Sequence, residues 1–174
     1  MESPSDNPFL KKTVCCFTGH RPNGLPAENS GDMALLRLRL MRAVCQAADG
    51  GVRVFWTGGA QGFDQLAAEA VLLLRQSRLE LRLHLALPAK DQADRWAAPA
   101  QQRYRRALDA ADTIWYAAAR TDTGALLARN RHLADQSDCC IAYLNKLAGG
   151  TLYTVRYALS RGLYVKNLAI PDEI

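Results

Sequence analysis

The chain has no long hydrophobic run. None of the apolar stretches among its 174 residues approaches the roughly 20 that a membrane-spanning helix needs. Met1 to Lys12 is polar and proline-containing, without the apolar core of a signal peptide. These absences predict a flexible leader over residues 1–11, one domain over 12–174, a cytoplasmic location and no membrane partner. The C-x-x-C spacing is missing as well. The five cysteines include two adjacent pairs, Cys15-Cys16 and Cys139-Cys140, each inside an apolar run. Neighbours on a strand point to opposite faces, so neither pair suits one metal. We expect buried free thiols, a reducing compartment, no metal site and no resident cofactor.

Ordinary dinucleotide and phosphate-loop motifs are absent too. There is no G-x-G-x-x-G and no loop ending in Gly-Lys-Ser/Thr. The basic cluster Arg103, Arg105 and Arg106 is not interleaved with aromatics in the way a stacking platform for single strands needs. It reads first as a solvated face. The net charge of +5 is otherwise scattered, and is compatible with a phosphorylated ligand or nucleic acid.

What the chain does have is strict alternation of strands and helices. Strands are predicted at 13–18, 52–56, 81–87, 113–116, 139–144 and 163–168. Apolar stripes at i, i+3, i+4 and i+7 predict helices at 33–48, with Asp32 as N-cap, at 63–77 and at 99–110. Two more are expected around Leu126–Ala134 and Leu152–Leu159. Such alternation predicts an α/β fold: a single-domain, Rossmann-like, doubly wound and mainly parallel sheet with helices on both faces.

In such a sheet ligands bind beyond the carboxyl ends of the strands. After the first strand comes Thr18-Gly19-His20-Arg21-Pro22. Following the second is Thr57-Gly58-Gly59-Ala60-Gln61-Gly62-Phe63-Asp64, where glycines end an apolar run and open a helix. Free amides at a helix start, together with the helix dipole, suit an anion. This turn therefore predicts a phosphate site, with Gly59 leaving the space that a phosphate needs. The competing reading is a tight turn with close helix–strand packing. Arg21 offers a planar fork for phosphate or carboxylate; His20 has a role or none. Asp64 either supports the helix dipole, accepts a sugar hydroxyl or holds Arg21. Gly149-Gly150-Thr151 is a second candidate anion turn. Trp56, Trp115 and Tyr116 are candidate base-stacking rings or core residues.

With these motifs the chain resembles the YpsA-like branch of the SLOG superfamily. Arg129-Asn130, Asp135-Gln136-Ser137-Asp138 and Gly149-Gly150-Thr151 continue the match, which spans residues 12–168. The resemblance implies a Rossmann-like fold that binds a nucleotide or nucleotide-derived ligand. It puts Gly58, Gly59, Ala60 and Gly62 at the phosphate, Thr18, Gly19 and Arg21 beside it, and Arg129, Asn130 and Gly149–Thr151 near the same pocket. The superfamily includes DNA-processing DprA-type proteins and the LOG phosphoribohydrolases. The latter carry a glutamate shortly after their Gly-Thr turn; here Thr151 is followed by Leu152-Tyr153-Thr154-Val155, with no acid.

Three functions stay open. One is a sensor or regulatory module binding a small nucleotide-like ligand. Another is a hydrolase of an N-glycosidic bond in a nucleoside phosphate or NAD-like ligand, with Asp64 or Glu69 as its acid. The last is single-stranded nucleic-acid binding through Arg103, Arg105 and Arg106. A homo-oligomer is left open.

Overall fold

The computed structural model describes residues 7–170. Six strands form one parallel sheet: β1 (Val14–Gly19), β2 (Val54–Thr57), β3 (Arg82–Leu87), β4 (Thr113–Tyr116), β5 (Cys139–Tyr143) and β6 (Tyr164–Asn167). Five helices connect them: α1 (Gly31–Gly50), α2 (Phe63–Arg75), α3 (Ala98–Ala110), α4 (Thr123–Asp135) and α5 (Gly149–Ser160). The strand order is β4-β3-β2-β1-β5-β6. The chain thus runs outward from β1 to β4, then returns to the far side of β1. The reversal lies between β1 and β5, where an open α/β sheet leaves its crevice.

The inner strands β1, β2, β3 and β5 are buried on both faces, so their apolar runs are nearly continuous, whereas the edge strands β4 and β6 are exposed or half-buried. Cys15, Phe17, Phe55, Leu83, Leu85 and Ile141 face α1, α2 and α3. Cys16, Trp56, Ala86, Cys140 and Ala142 face α4 and α5. The adjacent cysteines therefore do separate by face. Each has a cross-strand neighbour, Cys15 beside Cys139 and Cys16 beside Cys140, and all five cysteines are free. Burial is the first cause that lifts the Cys15 thiol well above its ordinary value, which keeps it an inert apolar group.

Local signals set most boundaries. Ser30, not Asp32, caps α1: its side chain accepts from the Met33 amide at 3.1 Å. Asp32 is instead a first-turn acid. Asp122 caps α4 by accepting from the Ala125 amide at 2.7 Å. Asp138 ties β5 to β1, accepting from the Thr13 amide at 2.9 Å and the Val14 amide at 3.0 Å.

The expected leader needs correction over residues 7–11; residues 1–6 and 171–174 lie outside the described residues. Phe9 is fully buried and meets Tyr164 edge-on at 5.3 Å. Asn7 donates to the Gln46 carbonyl at 2.8 Å, and the Lys11 amide donates to the Gly50 carbonyl at 3.0 Å. Gly50 admits this turn, since a Cβ there would lie 2.6 Å from the Phe9 carbonyl oxygen. One buried ring thus anchors a stretch whose neighbouring apolar side chain, Leu10, stays exposed. No helix among the described residues is long and apolar enough to cross a membrane.

Beneath α4, His132 stacks on Trp115 at 3.8 Å, and Trp56 meets His84 and His132 edge-on at 4.8 and 5.2 Å. His84 Nδ1 and His132 Nε2 are buried without a partner. Burial lowers the pKa of both rings.

Two predictions follow from this packing. Phe9→Ala should cost about 3–5 kcal/mol in chemical denaturation; a loss under about 1 kcal/mol would make the turn peripheral. Both histidines have folded pKa values below their unfolded ones, so their stabilisation is present above about pH 6.5 and is lost as pH falls. The melting temperature should drop on acidification from that point, and less steeply in His132→Phe, which keeps the stacked ring. Equal slopes in the two proteins would contradict this.

Candidate functional site

At the β1–β5 reversal lies a cleft of about 320 Å³, at the small end of the ~300–1,000 Å³ typical of small-molecule sites. One wall is the turn after β1, contributing Thr18, Gly19, His20 and Arg21. Ala60 and Asp64 come from the turn after β2 and the start of α2. From α4 come Arg129 and Asn130, and from the start of α5 Gly149, Gly150 and Thr151. Eleven residues expected at a site are thus brought together.

Thr57, Gly58, Gly59 and Gly62 do not line the cleft. Thr57 is fully buried and accepts from the Gly59 amide at 3.5 Å. Gly58 gives way to Arg129: a Cβ there would sit 1.9 Å from Arg129 Nη1, which donates to the Gly58 carbonyl at 2.7 Å. Gly59 has φ +64°, and its Cβ would point at Leu87 (3.0 Å) and Tyr104 (3.2 Å), not at the cleft. Gly62 has φ +93° and lets α2 approach the β1 turn, since a Cβ would lie 2.5 Å from the His20 carbonyl oxygen. The Ala60 amide already donates to Asp64 Oδ2 at 3.3 Å. The Gly58–Gly62 turn is thus packed against Arg129, Leu87, Tyr104 and the His20 carbonyl, as in the tight-turn alternative, and Ala60 is the residue of the turn that lines the cleft.

The amides left without an acceptor are elsewhere. Ala148, the N-cap of α5, supplies no side-chain bond. Gly149, Gly150 and Thr151 occupy the first turn, whose N–H groups have no intrahelical acceptor. Gly149 has φ +75°, with nothing within 4 Å of where a Cβ would be, and Gly150 is open except for Asn130 Nδ2 at 3.6 Å.

Opposite this helix start sits a buried pair. Arg129 Nη1 lies 3.8 Å from Asp64 Oδ2, with side chains 6% and 8% exposed. Burial lifts the Asp64 carboxyl above the ordinary range, while Arg129 and Arg21 pull it back. Burial likewise lowers the Arg129 guanidinium, and the Asp64 charge restores it. Arg129 Nε is buried without a partner. Arg21 is exposed at the mouth. His20 accepts at Nε2 from the Asn145 amide at 3.3 Å, which puts its proton on Nδ1. Desolvation, followed by the charge of Lys146, lowers its pKa and keeps it neutral.

Other expected groups lie apart from the cleft. Glu69 is held by Arg103 through two bonds, at 2.6 and 2.8 Å. Arg103 is therefore engaged, and Tyr104, between it and Arg105, is 5% exposed. Trp56 and Trp115 pack under α4, and Tyr116 lies beside Lys90. Among the described residues no group of three or more His, Cys, Asp or Glu could hold a metal. The sequence reading did not single out Phe17, Leu126, Leu133 and Ala148, which also line the cleft, nor Gln92, which donates to the Gly58 carbonyl at 3.3 Å. Leu126 and Leu133 had only an ordinary helical stripe to mark them.

Gly62→Ala should cost about 1–3 kcal/mol or more in urea unfolding, from its positive φ and the backbone in the way. Gly149→Ala, strained in φ alone, should cost about 1–2 kcal/mol. A Gly62 variant as stable as the wild type would overturn this account of the turn.

Comparisons with known proteins agree with this architecture. The YpsA model, described as the YspA SLOG family, matches residues 15–161. A UPF0398 protein of Halalkalibacterium halodurans is 24% identical over 153 residues, 85% of this chain and 81% of that one. The SPbeta prophage-derived protein YoqJ of Bacillus subtilis is 29% identical over 116 residues, 60% of this chain and 68% of that one. DNA processing protein A (DprA) of Streptococcus pneumoniae superimposes with a TM-score of 0.61 at 20% identity, over 95% of this chain and 53% of that one. The Helicobacter pylori DprA gives 0.58 at 19%, over 97% and 70%. At these identities the two structures speak for the fold, and this chain spans about half the length of the first. By the family match over most of its length, the chain belongs to the YpsA, or YspA, family of SLOG proteins.

Proposed function

We propose that the cleft binds a nucleotide or nucleotide-derived phosphorylated ligand, as a sensor or regulatory module. The observation that carries this reading is the pairing of donors across one hollow. The open first turn of α5, Gly149 to Thr151, faces Arg21 and the buried Arg129, whose Nε has no partner. Helix-start amides and arginine forks are the groups that hold phosphate oxygens. The anionic group then sits at α5, not on the Gly58–Gly62 turn. Asn130, Thr18 and Thr151 stand around the same hollow for sugar or phosphate hydroxyls.

Binding is favoured over N-glycosidic cleavage. Asp64, the one carboxylate lining the cleft among the described residues, is committed to the Ala60 amide and Arg129. Glu69 is tied to Arg103 outside it. The Helicobacter pylori DprA is described by its single-stranded DNA binding mode, which supports a ligand built from nucleotides. The Arg103–Arg106 cluster contributes less to that, because Arg103 is already paired.

Calorimetry with AMP and NAD, with chromatography for released base, tests the reading. A phosphorylated nucleotide should bind and raise the melting temperature, with no free base formed. Arg21→Ala, at an exposed position, should weaken binding roughly tenfold or more. No binding of any phosphorylated nucleotide would overturn the proposal. Base release abolished by Asp64→Asn would make the protein a hydrolase instead.

A further inference from the structure

The cleft offers donors for an anion but no free ring face for a base. Phe17 is fully buried in its floor. His20 stands edge-on to Tyr143 at 6.4 Å, with its Nε2 engaged. Trp56, Trp115 and Tyr116 do not line it. A nucleotide held there by its phosphate would have to extend its base elsewhere.

A second, more open hollow of about 450 Å³ begins on the other side of Gly149, which borders both. It runs along the outer face of α5 past Tyr153, Arg156 and Tyr157. The two tyrosine rings are parallel within 5°, with centroids 6.4 Å apart. Both are tethered at their tips. Arg131 donates to the Tyr153 hydroxyl at 3.4 Å, and the Tyr157 hydroxyl donates to Asp135 at 3.0 Å. Tethering holds each ring in place before anything binds, so less freedom is lost on stacking. Arg156 is exposed and makes no ion pair among the described residues. Helical rise puts Tyr153 about 6 Å along the axis from Gly149, a reach that a nucleoside monophosphate spans between phosphate and base.

We infer that Tyr153, Tyr157 and Arg156 form a stacking subsite for the heteroaromatic base of a nucleotide whose phosphate occupies the cleft. Aromatic faces take any base by stacking, and an arginine adds a cation to the same π surface. The subsite rests on the binding reading above. It predicts broad preference for nucleotides over sugar phosphates rather than strict choice among bases.

The probes are AMP and ribose 5-phosphate, which share the sugar and the phosphate but differ in the base. Wild-type protein should bind AMP roughly tenfold more tightly than ribose 5-phosphate. Tyr153→Leu and Tyr157→Leu, which keep apolar bulk on the helix, should erase that preference and leave ribose 5-phosphate affinity unchanged. Tyr153→Phe should retain it. Arg156→Gln, at an exposed position, should reduce AMP affinity several-fold without touching the sugar phosphate. Equal wild-type affinity for the two probes, or a preference that survives in the Leu and Gln variants, overturns the subsite and leaves the cleft standing. If neither probe binds, the cleft reading fails and the subsite with it.

Discussion

Arg129 is the contact on which the rim of the sheet depends. It leaves α4, crosses the carboxyl end of the strands and donates to the carbonyl of Gly58. Its charge is met by Asp64 at the head of α2. Few arrangements are as demanding. Breaking a buried pair of this kind leaves an uncompensated charge and costs roughly 3–5 kcal/mol. The pair also explains why position 58 is glycine, because any Cβ would collide with the guanidinium. The turn after β2, the start of α2 and the middle of α4 are therefore one unit.

That unit has a second consequence. It engages the Ala60 amide with the Asp64 carboxylate, so that this amide of the turn after β2 already has an acceptor. By burying Arg129 with one nitrogen unpartnered, it keeps positive charge facing a hollow that α5 enters with its own amides free. The sheet reversal between β1 and β5 supplies the hollow, and Arg21 closes its mouth. Structural and electrostatic roles coincide in the same side chain.

The layers and the rim were legible in the sequence, because period-2 and period-3.6 patterns report burial directly. Phe9 was not, since one buried aromatic outside any strand or helix has no period to betray it. Ser30 and Asp32 compete for the same capping role, and only the geometry chooses between them. The glycines at 58, 59 and 62 were marked as special for two reasons, a phosphate or close packing, and the contacts around them are those of close packing. A missing side chain looks the same whether a ligand or a neighbouring helix needs the room. Arg129 and Gly58 are 71 residues apart, and no local pattern encodes that contact. Likewise Trp56 and Trp115 carry no sign, in sequence, of the histidines that cover them.

The claim that an anion belongs at the head of α5 can be read residue by residue from backbone amide shifts during titration of isotope-labelled protein with AMP. The largest shifts should fall on Gly149, Gly150 and Thr151, with Gly58 and Gly59 little moved. Shifts concentrated at Gly58–Gly62, with α5 silent, would contradict the account.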